Sequence, residues 1–244
     1  NSDFDYVVGV TDTCGILAAL SAGLLGMKVI PVSHTGWENV FKGHSYLRSL
    51  LWGGMSLIYL RCHKWIMISD GVFKSYESAF PGLRKKMRMV PNAAYSEEAL
   101  CSVSEPLSDE LHSLVDRLRG DGCKIVVALG RFHYAKGFDV LLHSIKHVVN
   151  VHSQTCLLLI GDGDEREALE KLSKKLGIDG RVKFIGAMNK PFLLMRQADL
   201  YVHSSRWDGL PTTLIEASAI GLPCVSFDCD YGPREIIVPE VSGV

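Results

Sequence analysis

The stretch Lys124-Ile-Val-Val-Ala-Leu-Gly130 gives the first indication of the fold of this chain. It is a short apolar run with three β-branched residues that ends in glycine, a pattern typical of a strand buried on both faces of a parallel sheet. Four more strand-like runs follow at residues 155–161, 182–186, 199–205 and 223–228, with helical patterns between them. Repeated strand–helix units predict a doubly wound parallel sheet over residues 123–244.

The first part of the chain has the same kind of pattern. Strand candidates at residues 6–10, 28–32 and 64–69 are separated by helical stretches, and they predict part of a second α/β domain over residues 1–95. Residues 96–122 are rich in Ser, Glu, Pro and Asp, which predicts a linker with a surface helix at 108–119. A length of 244 residues suits two such domains.

Two cations follow the first strand of the later domain. Arg131 comes directly after Gly130, and Lys136 follows five residues later. The carboxyl ends of strands are where open α/β sheets bind ligands. Arginine can fork onto two phosphate oxygens, while lysine acts as a point charge. These residues therefore predict a phosphate site, and the alternative is a loop with solvated cations.

A second element lies at residues 204–216. Asp208 and Glu216 flank the predicted start of a helix, with Pro211 in an early helical position where its missing N–H costs nothing. Unpaired amides at a helix start form an anion site. A carboxylate beside an anion site suggests a ligand with both phosphate and hydroxyl groups, such as a nucleotide sugar.

Together these motifs resemble a known family. Gly130-Arg131 with Lys136-Gly137, Gly161-Asp162-Gly163, Asp208 with Glu216, the stretch 221–229 and the stretch 232–237 occur in the order and spacing of the retaining GT-B glycosyltransferases of family 4, also called glycosyl transferases group 1. The resemblance is strong over residues 90–244 and weaker over residues 1–90. It implies two Rossmann-like domains, the first incomplete at its N-terminus and the second at its C-terminus. It also implies transfer of a hexosyl unit from a nucleoside diphosphate sugar to a glycan or lipid-linked acceptor hydroxyl, with retention of configuration.

The resemblance also implies residue roles. Arg131 and Lys136 would hold the donor diphosphate and stabilise its developing charge, and Glu216 would bind the ribose hydroxyls. Asp208 stands where the family usually has glutamate and would face the donor sugar, with a reach one methylene shorter. His34 would face the acceptor cleft, although a lone histidine after a strand is also common as a structural residue. The remaining positions expected around the donor are Gly163, Gly209, Leu210, Pro211 and Thr212.

No metal or other cofactor is expected, because two cations and a helix terminus could replace a divalent ion. Asp228 and Asp230 have the Asp-x-Asp spacing of a metal-dependent sugar transferase, but they lie in a stretch that matches a structural loop of the family. His143 and His147 have i,i+4 spacing, but Ser144 stands where a metalloprotease motif has glutamate. We interpret both histidines as exposed side chains.

Charge bears on partners and location. Residues 1–95 contain ten basic and six acidic side chains, and residues 96–244 contain sixteen and twenty-one, so the near-neutral total makes nucleic acid a poor candidate partner. The basic cluster at residues 84–88 is either a solvated turn or a peripheral contact with anionic lipid.

The apolar run at 49–60 is too short to span a membrane. Seven cysteines without a Cys-x-x-Cys pair suit reduced thiols, and the protein is expected in the cytoplasm.

Two alternatives to a glycosyltransferase stay open from the sequence. One is a non-catalytic nucleotide-sugar-binding or scaffold subunit, and the other is a phosphorylase or epimerase on the same fold. The donor base, the sugar and the acceptor cannot be read from these residues.

Overall fold

The computed structural model describes residues 4–24, 26–40, 59–60, 62–94 and 106–238. The chain divides into two compact units. Unit 1 contains residues 1–92, 207–210 and 230–235, and unit 2 contains residues 93–206, 211–229 and 236–244. The ranges expected from sequence were 1–95, 96–122 and 123–244. The units differ from them mainly because residues 207–210 and 230–235 belong to unit 1. Apart from Tyr59 and Leu60, the apolar run at 49–60 lies outside the described residues.

Unit 1 is built on a four-stranded parallel sheet. Its strands are β1 (Tyr6–Val10), β2 (Lys28–Ser33), β3 (Trp65–Met67) and β4 (Met87–Met89), in the order β1-β2-β3-β4. The described helices between them are α1 (Asp12–Leu24), α2 (Trp37–Val40) and α3 (Asp70–Ala79), followed by a 3₁₀ turn at Pro81–Leu83. Ser69 caps α3 by accepting a hydrogen bond from the amide of Val72 (3.2 Å).

The strand order of unit 1 has a consequence for its core. Right-handed crossovers between strands that advance in one direction bring their helices to the same face of the sheet. On that face Trp65, Met67 and Met87 pack with Ala18 of α1 and Tyr76 of α3. The opposite face carries a row of apolar side chains that we call the open face. Its members are Tyr6, Val8, Val10, Ile30, Val32 and Ile66, of which the three on β1 are exposed.

Unit 2 contains a five-stranded parallel sheet. Its strands are β5 (Lys124–Leu129), β6 (Thr155–Ile160), β7 (Val182–Gly186), β8 (Leu200–His203) and β9 (Cys224–Ser226), in the order β7-β6-β5-β8-β9. Its α-helices are α4 (Asp109–Gly120), α5 (Phe138–Val151), α6 (Arg166–Lys175), α7 (Phe192–Met195) and α8 (Thr212–Ala219). Short 3₁₀ turns lie at Tyr134–Lys136 and Asp179–Arg181. The short helix α9 (Pro233–Ile236) follows β9, and its first three residues belong to unit 1.

Both faces of the unit 2 sheet are covered. Ile125 and Val127 of β5 pack in a core that includes side chains of α4, α7 and α8. Val126 and Ala128 point to the other face, where they pack with α5 and α6. The strand order reverses between β5 and β8, so the loops after these two strands lie at the topological switch point of the sheet, the usual position of a ligand site.

The structure confirms the predicted α/β class and its parallel sheets, with shorter strands at several places. The predicted strands at 64–69, 199–205 and 223–228 contract to β3, β8 and β9. Pro211 is not inside its helix as predicted: it precedes the first residue of α8 in an extended conformation (φ −71°, ψ 94°). Within the described residues, no helix is long and apolar enough to cross a membrane.

Candidate functional site

The predicted cations lie at the carboxyl end of β5 in unit 2. Arg131 is exposed, and its guanidinium lies 3.3 Å from the Asp164 carboxylate. Lys136 ends the 3₁₀ turn after β5, and its Cγ and Cδ atoms lie 3.6 Å from where a Cβ atom on Gly130 would be. The stem of Lys136 therefore lies over the end of the strand, close to the main chain that carries Arg131.

Two residues after β8 hold the turn that contains Lys136. The guanidinium of Arg206 makes a two-pronged contact with Asp139 (2.8 and 2.6 Å) and also donates to the carbonyl of Tyr134 (2.8 Å). Ser204 Oγ donates to the carbonyl of Lys136 itself (2.8 Å). Arg206 also holds the pKa of the Asp139 carboxyl below its usual value. The loops on both sides of the switch point thus fix each other.

Gly163 packs against the main chain beside Arg131. A Cβ atom at Gly163 would lie 2.5 Å from the carbonyl oxygen of Phe132, so no other residue fits without a shift. The amide of Phe132 donates to the carbonyl of Asp162 (2.9 Å), which fixes the same approach. The structure therefore brings Gly163, Arg131 and Lys136 together at one edge of the sheet.

Helix α8 begins at this edge, after β8. Its first internal hydrogen bond runs from the amide of Leu214 to the carbonyl of Pro211 (3.0 Å), so the amides of Thr212 and Thr213 precede the internal bonding of the helix. Such amides, at the positive end of the helix dipole, favour an anion. Thr213 Oγ1 accepts a hydrogen bond from Tyr201 (2.7 Å), which ties the helix start to β8.

Glu216 lies one turn into α8 and is half-buried. Burial raises the pKa of its carboxyl to about 7. Among the residues that the structure describes, no hydrogen bond or ion pair reaches this carboxylate. A half-buried carboxyl without a protein partner is suited to accept hydrogen bonds from ligand hydroxyls.

The other predicted site residues belong to unit 1. The amide of Gly209 donates to its neighbour's carboxylate, Asp208 Oδ1 (3.0 Å), and Leu210 is buried. A Cβ atom on Gly209 would lie 1.8 Å from the carbonyl oxygen of His34, so these two main chains are in close contact. The structure thus brings Asp208, Gly209 and Leu210 beside His34, at the carboxyl end of β2.

A buried polar network, which no sequence motif predicted, holds the residue that precedes His34. Asp12 Oδ1 accepts hydrogen bonds from Ser33 Oγ and Tyr76 Oη, both at 2.6 Å. Ser33 Oγ in turn accepts from Trp65 Nε1 (3.0 Å). Burial raises the pKa of the Asp12 carboxyl, against the lowering effect of these hydrogen bonds. The network fixes Ser33, the residue before His34, to the start of α1 through Asp12 and to the start of β3 through Trp65.

Residues 230–235 also contribute to unit 1. Glu38 Oε2 accepts hydrogen bonds from Ser75 Oγ and from Tyr231 Oη, each at 2.7 Å. Glu235 accepts from the amides of Asp70 (2.8 Å) and Gly71 (3.0 Å) at the start of α3. The stretch 232–237 carried part of the family resemblance, but its residues gave no local sign of these partners.

The predicted site residues therefore fall into two groups. Arg131, Lys136, Gly163, Pro211, Thr212 and Glu216 belong to unit 2, and His34, Asp208, Gly209 and Leu210 belong to unit 1. In the described part of the chain, no group of three or more His, Cys, Asp or Glu side chains could hold a metal ion. His143 and His147 are exposed on α5.

Comparison with known proteins gives relatives and a matching family. An uncharacterized glycosyltransferase of Methanocaldococcus jannaschii, MJ1059, is 32% identical over 169 residues, covering 69% of this chain and 40% of that protein. The lipopolysaccharide core biosynthesis glycosyltransferase LpsE of Rhizobium meliloti is 36% identical over 115 residues, covering 46% of this chain and 33% of that protein. This chain thus spans less than half the length of either relative.

A solved structure shares the fold. HepE from Anabaena, in complex with UDP and glucose, matches with a TM-score of 0.81 at 18% identity, covering 98% of this chain and 63% of HepE. This likeness confirms the predicted GT-B fold. The family model of glycosyl transferases group 1 matches residues 116–244, more than half of the chain. The chain therefore belongs to the glycosyl transferases group 1.

Proposed function

We propose that this chain is part of a retaining glycosyltransferase of family 4 that transfers a hexosyl unit from a nucleoside diphosphate sugar to a hydroxyl of a glycan or lipid-linked acceptor. The observation that carries the proposal is that Arg131 and Lys136 follow β5 while the first amides of α8 follow β8, so that both belong to the loops at the switch point of unit 2. Cations next to helix-start amides are the combination that binds a diphosphate. A loop whose cations are merely solvated would not require a helix start beside it.

The proposed chemistry follows from charge. When the bond between sugar and diphosphate breaks, negative charge grows on the leaving diphosphate. Arg131 can meet two of its oxygens, Lys136 adds a point charge, and the amides of Thr212 and Thr213 complete the anion site. Arg206 and Ser204 hold the Lys136 turn in place, so little reorganisation is needed as the charge develops.

The proposed ligand of Glu216 is the ribose of the donor. Two vicinal hydroxyls can both donate to one carboxylate, and an ionised carboxylate is the stronger acceptor. On the unit 1 side, we assign the acceptor to the end of β2 at His34 and the donor sugar to Asp208. These roles rest on the family resemblance and on the packing of Gly209 against His34.

Uridine is the first donor base to test. The Anabaena structures hold UDP with glucose, and also UDP-glucose, in a protein of the same fold. We propose that no metal is required, because two cations and a helix start could together balance the charge of the diphosphate. The LpsE relative supports a lipopolysaccharide-type acceptor.

We place the reaction in the cytoplasm, with peripheral membrane contact through the cluster at residues 84–88 as part of the proposal. In the structure Arg84 pairs with Glu77 and lies over the ring of Phe73, and Lys86 donates to the main-chain oxygens of Leu60 and Cys62 (2.7 Å to Cys62). An anionic lipid would have to compete with these partners, so binding to vesicles with and without phosphatidylserine tests this part separately.

Isothermal titration of the chain with UDP, GDP, ADP and their glucose conjugates, in EDTA, tests the donor site. We expect saturable binding of one diphosphate, weakened at least tenfold in Arg131→Ala and in Lys136→Ala. Lys124→Ala is the control, because Lys124 pairs with Asp199 (3.2 Å) at the amino end of the same strand.

Other outcomes would change the assignment. Unaltered affinity in both variants would refute the phosphate role, and binding that needs magnesium or manganese would refute the metal-free proposal. Donor binding without transfer to any saccharide would favour a nucleotide-sugar-binding subunit. Phosphate-dependent cleavage of a saccharide would favour a phosphorylase.

A further inference from the structure

Thr11 has an unusual backbone conformation. It follows β1 and precedes α1 with φ of +79°, and it is the only residue other than glycine with positive φ in the described part of the chain. A β-branched residue is strained in this region, because its side chain crowds the main chain. Positions of this kind persist only where the surroundings hold them.

The surroundings of Thr11 do hold it. Its amide donates to the carbonyl of Val32 on β2 (3.1 Å), and its carbonyl accepts from the amide of Gly15 (2.8 Å). The next residue is Asp12, whose carboxylate is fixed by Ser33 and Tyr76. The main chain is therefore clamped on both sides of Thr11, whatever side chain this position carries.

Glycine would meet the backbone requirement without strain, and the described part of this chain has glycine at nine other positions of positive φ. The Thr11 side chain is exposed, and no described residue makes a hydrogen bond with its hydroxyl. Capping of α1 does not explain it either: the cap bond that Ser69 makes to α3 has no counterpart at Thr11 among the described residues. Neither packing nor capping accounts for threonine here.

The position of the side chain suggests a use. Thr11 lies at the carboxyl end of β1, and the adjacent strand β2 ends at Ser33, directly before His34. A hydroxyl at this edge can both donate to and accept from a sugar hydroxyl. We infer that Thr11 is a substrate-contacting residue of unit 1, kept in a strained conformation so that its hydroxyl can bind an acceptor saccharide. The inference rests on the proposed function, whose acceptor side is at His34.

Three variants separate the effects of backbone strain, side-chain shape and the hydroxyl group at residue 11. Thr11→Val keeps the shape and the strain but removes the hydroxyl, Thr11→Ser keeps the hydroxyl, and Thr11→Gly removes both strain and hydroxyl. Thr13→Val is the matched control, because Thr13 is also exposed, two residues further along in α1. Thermal unfolding reports on strain. Ligand-observed NMR with the methyl glycosides of glucose, galactose and mannose, at saturating UDP, reports on saccharide contact.

We expect Thr11→Gly to raise Tm by about 2–4 °C and Thr11→Val to leave it within about 1 °C. One glycoside should give saturation-transfer signals with the wild type, Thr13→Val and Thr11→Ser, and signals at least threefold weaker with Thr11→Val and Thr11→Gly. A loss of Tm in Thr11→Gly, equal signals in Thr11→Val, or no glycoside signal with the wild type would overturn the inference. UDP binding and its dependence on Arg131 would survive each of these results, so a failure here is distinguishable from a failure of the donor-site proposal.

Discussion

The sheets of unit 1 and unit 2 are both parallel, yet they are covered differently. The order β7-β6-β5-β8-β9 reverses between β5 and β8, and helices cover both faces. The order β1-β2-β3-β4 advances in one direction, and the described helices α1, α2 and α3 pack on one face. Tyr6, Val8 and Val10 on the other face are exposed although their sequence is that of a buried strand. Strand order therefore decides which apolar side chains are buried, and local sequence does not.

The sharpest test of this difference compares one substitution in the two sheets. Val127 on β5 is fully buried, and Val8 on β1 is 55% exposed. Val127→Ala should lower the free energy of unfolding by about 2 kcal/mol, because it leaves a cavity in a packed core. Val8→Ala should cost less than about 1 kcal/mol, mostly through strand propensity. Denaturant titration of both variants measures the costs, and equal costs would show that the open face is covered in solution.

A second test concerns the switch point, which only the unit 2 sheet contains. Arg206→Ala removes the contacts to Asp139 and Tyr134 that hold the Lys136 turn. We expect the affinity for UDP to fall about tenfold, equivalent to roughly 1.4 kcal/mol, without loss of fold. Isothermal titration measures the affinity, with circular dichroism to verify the fold. If UDP binds Arg206→Ala as tightly as it binds the wild type, the turn does not depend on the loop after β8.

The pH dependence of stability provides a third test, in unit 2. The pKa of Glu216 is about 7 in the folded chain, above the ordinary value of 4.5. The unfolded chain therefore ionises first as pH rises, and Glu216 makes the folded state progressively less stable between pH 4.5 and 7. Above pH 7, Glu216→Gln should be more stable than the wild type by roughly 1 kcal/mol, a value reduced because solvent partly screens this half-buried carboxyl. Below pH 4.5 the substitution should give no gain in stability. Urea titrations across this range measure the difference, and a constant difference would contradict the raised pKa.

The same carboxyl predicts a binding signature. If ribose hydroxyls need the ionised form, UDP binding near pH 7 should release a fraction of a proton. The calorimetric enthalpy would then vary with the ionisation enthalpy of the buffer, and this variation should disappear in Glu216→Gln. A wild-type enthalpy that is independent of buffer would argue against contact between Glu216 and the ribose.

The smallest effect is expected in unit 1, at the start of α3. Glu235→Gln weakens the hydrogen bonds to the amides of Asp70 and Gly71 and removes a charge that favours the helix dipole. We expect a cost of about 0.5 kcal/mol in the free energy of unfolding. Glu167→Gln is the control, since Glu167 forms an exposed pair with Lys171 (2.5 Å) on α6 and should cost less. A cost no greater than that of the control would mean that residues 230–235 add nothing to unit 1.

The sequence predicted most of unit 2 for a physical reason. Strands buried on both faces appear as continuous apolar runs, so β5 and β6 were placed within one residue of their observed ends. The residues proposed to bind the sugar donor, Arg131 and Lys136, could also be predicted, because both lie in the loop that follows such a run. In unit 1 the strand β4 was not predicted, because it has only three residues and contains Arg88, so it leaves little periodic signal.

Other features of the sites have no local signal at all. The packing of Gly209 on His34 and the bond between Tyr231 and Glu38 join residues far apart in sequence, and no periodic pattern encodes such pairs. The two hydrogen bonds between Arg206 and Asp139 also join residues far apart in sequence. The positive φ of Thr11 was also hidden, because the clamp that enforces it includes the carbonyl of Val32 on another strand.

The way the chain is threaded has a practical consequence. Unit 1 takes residues from three separate stretches, and residues 207–210 and 230–235 come from the midst of the unit 2 sequence. A cut after residue 92 would therefore remove Tyr231 and Glu235 from the partners that they bind in unit 1. If the parts of the chain before and after this cut were expressed separately, both fragments would be incomplete. Binding to either unit is therefore best assigned by point substitutions in the intact chain.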